Sequence, residues 1–159
     1  TVLLAARKLR RRSPELDEYL LDTSLEGEGE ISFSVRNTME EVMFTSNEIT
    51  RFCEASGISV KKTMQVSLAI EEMLTVIISY CIPSKTDQFI DLRIMKKGEE
   101  VLLCIRNAGK IFDPVSFYEE NRDNEEMEER VLGIKLIVGT AKEIKFRETF
   151  GMNNLLILF

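Results

Sequence analysis

The sequence predicts an α+β fold, a two-layer sandwich in which a mixed, mostly antiparallel sheet carries helices on one face. Three observations lead there. Short stretches of alternating polarity around Ile31–Val35, Ile90–Ile94 and Val101–Arg106 read as half-buried strands, because strand side chains point to opposite faces with a period of two. Two longer stretches of helical period lie together between the first and second strands. Strands and helices are therefore grouped, not strictly alternating, which is the pattern of helices packed on one face of a sheet. A chain of 159 residues also fits a single domain, burying about 70% of its unfolded surface.

Taken in order, residues 1–29 read as a juxtamembrane-like leading segment, and the domain occupies 30–159. The segment opens on an apolar tip (Val2 to Ala6) and a basic cluster. Ser13-Pro14 and an acidic amphipathic stretch through Leu25 follow, and Gly27 and Gly29 then loosen the chain. Ile31, Phe33 and Val35 make the first strand. Thr38 with Glu41 matches a capping box, and Met39, Val42, Met43, Ser46, Ile49 and Cys53 keep helical spacing up to a stop at Gly57. Ser59 caps a second helix through about Cys81, with Pro83 just beyond. Ile90, Leu92 and Ile94 form the second strand, and Lys97-Gly98 turns into a third at Val101 to Arg106. Asn107 to Pro114 is a loop. Residues 117–130 hold seven acidic side chains and read as a solvated loop or a mobile lid. Val131 to Thr140 is a short apolar helix. Lys142 to Glu148 and Asn153 to Phe159 close the chain as a hairpin around Phe150-Gly151.

Composition excludes several chemistries. There is no histidine, hence no His general base, metal ligand or phosphoacceptor. Cys53, Cys81 and Cys104 are odd in number and lie in apolar stretches, which predicts reduced, buried thiols. No CxxC is present, and no metal site is expected. The net charge of −6 is unevenly spread: residues 1–12 carry +5 and the other 147 carry −11. A body so acidic repels nucleic acid, and only the first dozen residues suit an anionic surface. The longest uncharged run, Met73 to Ser84, has 12 residues, short of the roughly 18 that span a bilayer. Basic residues follow the apolar tip and do not precede it, so no signal peptide is expected.

Three places carry potential chemistry. The second helix is apolar on nearly all sides from Val66 to Ile82, so it belongs in the core, yet Glu71 and Glu72 interrupt it. At 100° per residue, Glu72, Thr75, Val76 and Ser79 share a stripe. A carboxylate there costs several kcal/mol unless it is paired or opens on a cleft; a salt bridge or a solvated helix edge explains it equally well. The loop after the third strand, IRNAGKIFDP, offers Asn107 as an acceptor for a ligand amine and Gly109 for close backbone approach, where the default is a simple turn. Leu132-Gly133-Ile134 then starts a helix, where a glycine admits phosphate to free N–H groups or merely makes a tight start.

In that order the three places resemble the GHKL ATPase fold of histidine kinases, Hsp90 and gyrase, and most closely its anti-sigma-factor serine-kinase branch. LAIEEMLTVIISYC resembles that branch's N-box, IRNAGKIFDP its RDDGxxFDP box, and VLGIKLIVGTAKEIKF its closing GxxL helix and strand, over roughly residues 30–159. The resemblance is nearer still to the cytosolic domains behind the membrane helices of some bacterial MATE-type transporters. VLLAA followed by RKLRRR is similar to the cytoplasmic end of a last transmembrane helix. The resemblance implies a nucleotide pocket of Glu72, Thr75, Val76, Asn107, Gly109 and Gly133, with Glu72 as the base that polarises an attacking hydroxyl. It also implies a homodimer through the sheet.

The departures from the family pattern are specific. Val76 stands where an Asn gives its oxygen to Mg²⁺, which has few protein ligands to lose. Asn107 replaces the adenine-reading Asp, Ala108 the second Asp, and Tyr80 the usual histidine. Glu125, Glu126, Glu128 and Glu129 fill the lid, where they repel a triphosphate. The expected function is therefore a degenerate, noncatalytic regulatory or interaction domain on the cytoplasmic side of a membrane protein. ATP is expected to bind weakly or not at all, and Mg²⁺ is not expected. Residues 1–12 face the protein's own membrane-embedded part or an anionic membrane. The alternatives are an active ATP-dependent serine kinase and a nucleotide sensor that does not hydrolyse.

Overall fold

Strand alternation fixes which residues meet the helices. The structure, a computed structural model, describes residues 29–82 and 87–159. The leading segment up to residue 28 and Pro83 lie outside the described residues. β1 (Gly29–Arg36) turns Phe33 and Val35 inward. β2 (Phe89–Lys97) buries Ile90, Leu92 and Ile94, and β3 (Glu100–Ala108) buries Val101, Leu103 and Ile105 on the same side. β4 (Glu143–Thr149) and β5 (Met152–Leu158) form the closing hairpin, with Leu155 and Ile157 inward. The order across the sheet is β1-β2-β3-β5-β4, and every pairing is antiparallel. The expected sandwich is present, but its sheet is not mixed. The last hairpin folds back so that β5 lies between β3 and β4, which leaves no two parallel strands adjacent.

The helices form where caps and apolar spacing coincide. α1 (Met39–Ala55) starts at Thr38, whose hydroxyl accepts from Glu41 N at 3.4 Å. α2 (Val60–Val76) starts at Ser59, whose hydroxyl accepts from Lys62 N. Its axis continues through a π turn, Ile77–Cys81, closed by Ile82 N donating to Ile77 O at 3.0 Å. Val60–Cys81 is long and apolar enough to cross a membrane by length and composition alone. Here Val66, Ala69, Ile70, Met73 and Leu74 are sealed in one cluster with the inner face of the sheet.

The segment after β3 departs from expectation. Asp113 caps a helix, α3 (Pro114–Asn121), through an oxygen that accepts from Val115 N at 3.0 Å, with proline in its first turn. A 3₁₀ turn (Glu125–Met127) then leads into α4 (Glu128–Thr140). Residues 117–130 are thus largely helical and not an open loop. Asp-Pro is a strong start signal, since proline's missing N–H has no partner to lose at the first helical position. All three cysteines are free and buried, as expected. Burial pushes the Cys53 and Cys81 thiols up to about 11 and Cys104 to about 12.

Candidate nucleotide site

Two close approaches assemble the site. The first joins α2 to α4: a Cβ at Gly133 would collide with Glu72 Oε2 and stand 2.6 Å from Glu72 Cδ. Only a hydrogen on that Cα lets the carboxylate lie against the helix. The second joins the loop after β3 to the end of α2. Gly109 has φ +116°, and a Cβ there would strike the Cys81 carbonyl, 2.8 Å from its carbon. Next to it, Lys110 N donates to Cys81 O at 2.9 Å. The π turn presents that carbonyl, and such turns recur at functional positions because they free backbone groups from the regular ladder.

The reading of Gly133 as a helix start is corrected. α4 begins five residues earlier, at Glu128, so Gly133 lies in the second turn, where its N–H belongs to the helix ladder. There it packs closely against the Glu72 carboxylate. The start of α4 is instead joined to the 3₁₀ turn, where Met127 N donates to Asn124 O and Glu128 N to Glu125 O, and it carries Glu128 and Glu129, which suit the positive end of the helix dipole and oppose an anion there.

The other expected residues divide. Val76 is 4% exposed and belongs to the apolar core, not to an open stripe with Glu72. Thr75 is half-buried, and its carbonyl accepts from Ser79 Oγ at 2.7 Å. Asn107 is 2% exposed at the end of β3, on the inward face, and its amide nitrogen donates to Ala108 O at 2.9 Å. Glu72 is held toward its protonated form, first by burial and second by the charge of Glu71. Glu71 itself accepts from Ser46 Oγ at 2.6 Å, which ties α2 to α1.

Sequence reasoning missed the residues that brace this site. Asn153 faces Asn107 across β3 and β5. Its Oδ1 accepts from Phe112 N at 3.3 Å and its Nδ2 donates to Lys110 O at 2.8 Å, so one side chain clamps the loop twice. The signal was Asn153-Asn154 in an otherwise apolar strand. Tyr80, at the usual histidine position, packs edge-on against Phe112 at 5.9 Å between centroids. Lys110 and Arg130 lie over its ring at 5.2 and 5.9 Å. Tyr80 thereby joins the loop after β3 to the first turn of α4.

As a seat for a nucleotide, these residues fit in part. An amide oxygen such as that of Asn107 accepts from an amine, and Lys110 and Arg130 carry positive charge over Tyr80. They do not fit Mg²⁺ at Val76, which has no oxygen and is sealed in the core. A cavity of ≈ 470 Å³ lies on the other side of α4, lined by Tyr118, Arg122, Glu125, Leu132 and Lys135 among others, with none of the expected pocket residues.

The chain matches the histidine kinase-like ATPase domain over residues 35–158. Among solved structures it is similar to one chain of the crystal structure of the SiaB-SiaC complex from Pseudomonas aeruginosa. The TM-score is 0.63 at 13% identity, over 91% of this chain and 96% of that one. No curated protein matches it.

Proposed function

The chain belongs to the histidine kinase-like ATPase domain family, and on that premise we propose that it is a degenerate, noncatalytic member acting as a regulatory or interaction domain on the cytoplasmic side of a membrane protein. The observation that carries the reading is Val76. The place of a metal-ligating amide holds an apolar side chain buried among Met73, Ile77 and the sheet. Phosphoryl transfer rests mainly on metal and positioned donors, whereas a general base contributes typically about 10²–10⁴-fold. Glu72 alone is therefore insufficient. A role in protein binding is supported by the similar chain, which was solved in a complex. The basic run of residues 1–12 supports the membrane context, with the protein's own membrane part or anionic lipid as its partner.

ATP titration by calorimetry at zero and saturating Mg²⁺ tests the reading. Equal affinity, or no binding, is expected. A tenfold tightening with Mg²⁺, about 1.4 kcal/mol, overturns it. Turnover of radiolabelled ATP, read as free phosphate and as phosphoserine on co-purified proteins, should match a Glu72→Ala blank.

The second reading is an ATP-dependent serine kinase. The observation favouring it is Glu72 itself, at the family's base position with burial raising its proton affinity. Turnover well above the blank would select it.

A further inference from the structure

We propose that the helix-free face of the sheet is the docking surface for residues 13–28 of this same chain. The register maps that face row by row. One row runs Glu30, Met95, Leu102, Leu158, Glu143, and the next runs Ser32, Arg93, Cys104, Leu156, Lys145. Met95, Leu102, Cys104 and Leu156 form an apolar cluster separate from the main core, and no described helix contributes a residue to it. Yet they are only 3%, 5%, 2% and 8% exposed. A row further on, Arg106 Nε and Asn154 Oδ1 are buried without a hydrogen-bond partner. Buried polar atoms of this kind call for groups brought from elsewhere.

Position identifies the occupant. The chain enters the sheet at Gly29, beside the row that holds Met95 and Leu102. Residues 26–28 reach about 10 Å, enough to turn back onto the face. Residues 13–25 as a helix would be about 20 Å long, and five strands at about 4.8 Å spacing are about as wide. At helical spacing Leu16, Tyr19, Leu20 and Thr23 make one stripe. Charge agrees. Glu15, Asp17, Glu18, Asp22, Glu26 and Glu28 bring six acids and the segment has no base. The face offers Arg36, Arg93, Lys97, Arg106, Lys145 and Arg147 against Glu30, Asp91, Glu100 and Glu143. It is a net basic face on an acidic body.

Cys104 reports on this face, while Cys53 and Cys81 lie in the main core. The full chain is treated with iodoacetamide and the labelled peptides are read by mass, for the wild type and for L16E/L20E. Labelling of Cys104 should rise at least tenfold in the variant, with Cys53 and Cys81 unchanged. An unchanged Cys104 overturns the proposal. A wild-type Cys104 that labels freely until anionic vesicles are added also overturns it, in favour of lipid. Should all three thiols rise together because the variant unfolds, zero-length carbodiimide coupling of the wild type decides. Links from carboxylates of 15–28 to Lys97 or Lys145 within one chain are expected. No such links, or links only between isotopically distinct chains, overturn the proposal, the latter in favour of a second copy.

Discussion

Glu72 keeps its proton more tightly in the folded chain than in the unfolded one, because burial and then Glu71 disfavour its charge. For such a raised value the folded state binds more protons, so stability falls as pH rises through the folded value. The contribution is fully present below the ordinary carboxylate range and lost above it. Glu72→Gln should therefore raise the melting temperature at pH 7 and leave it unchanged near pH 3, as a thermal series across pH would read. Gly133 is coupled to the same group. Alanine in a helix interior gains about 1 kcal/mol over glycine, but its Cβ would strike the Glu72 carboxylate. Gly133→Ala should thus stabilise the chain in a Glu72→Ala background by about 1 kcal/mol and by clearly less, or not at all, in the wild type. A double-mutant cycle in urea measures that difference. Val76→Asn places an unpaired amide in the core at about 1–3 kcal/mol; any restored Mg²⁺ dependence of ATP binding must be read against that loss.

The element that defines the site is the loop Gly109–Asp113, held between the π turn and β5. Asn153 gives it two hydrogen bonds, so Asn153→Ala should cost about 2 kcal/mol, at about 1 kcal/mol per bond, and speed amide exchange at Phe112. Gly109→Ala should cost more, about 2–3 kcal/mol for strain and further for the clash with Cys81, read as a lower urea midpoint. How much of this was legible follows the range of each signal. Alternation around Ile31 and Ile90, and caps at Thr38 and Ser59, act within a few residues, so both strands and both helices were readable in place. Glu72, Asn107 and Gly109 were singled out by residue type against their surroundings. Asn153 was not, because its role is set by loop residues more than forty positions away. Gly133 was misplaced because the acidic run hid the start of α4 at Glu128. Glutamates read as solvated loop when counted, yet they are also favoured in a first helical turn. Asp113-Pro114 is a local start signal for α3, but it ends a stretch whose Asn, Gly and Pro content reads as loop.

At the scale of the whole molecule, charge is separated along the chain: +5 in residues 1–12 and −11 in the rest. On the proposed membrane reading, a short cationic stretch would attract anionic lipid while the acidic body is repelled by it. Each basic residue near an anionic surface contributes about 1 kcal/mol, within a screening length of about 10 Å at 0.1 M salt. Docking of residues 13–28 on the sheet would leave residues 1–12 free at one edge of the domain, so the two proposals are compatible and separately testable. Sedimentation with anionic vesicles should carry the full chain at low salt and release it at high salt. Replacing Arg7, Lys8, Arg10, Arg11 and Arg12 by glutamine should abolish binding while leaving the melting temperature unchanged. Binding that persists in the variant, or that is indifferent to salt, would place the lipid contact elsewhere. The exposed side chains Met39, Met43 and Phe44 on α1 are then the next surface to substitute, because they are apolar and face away from the core.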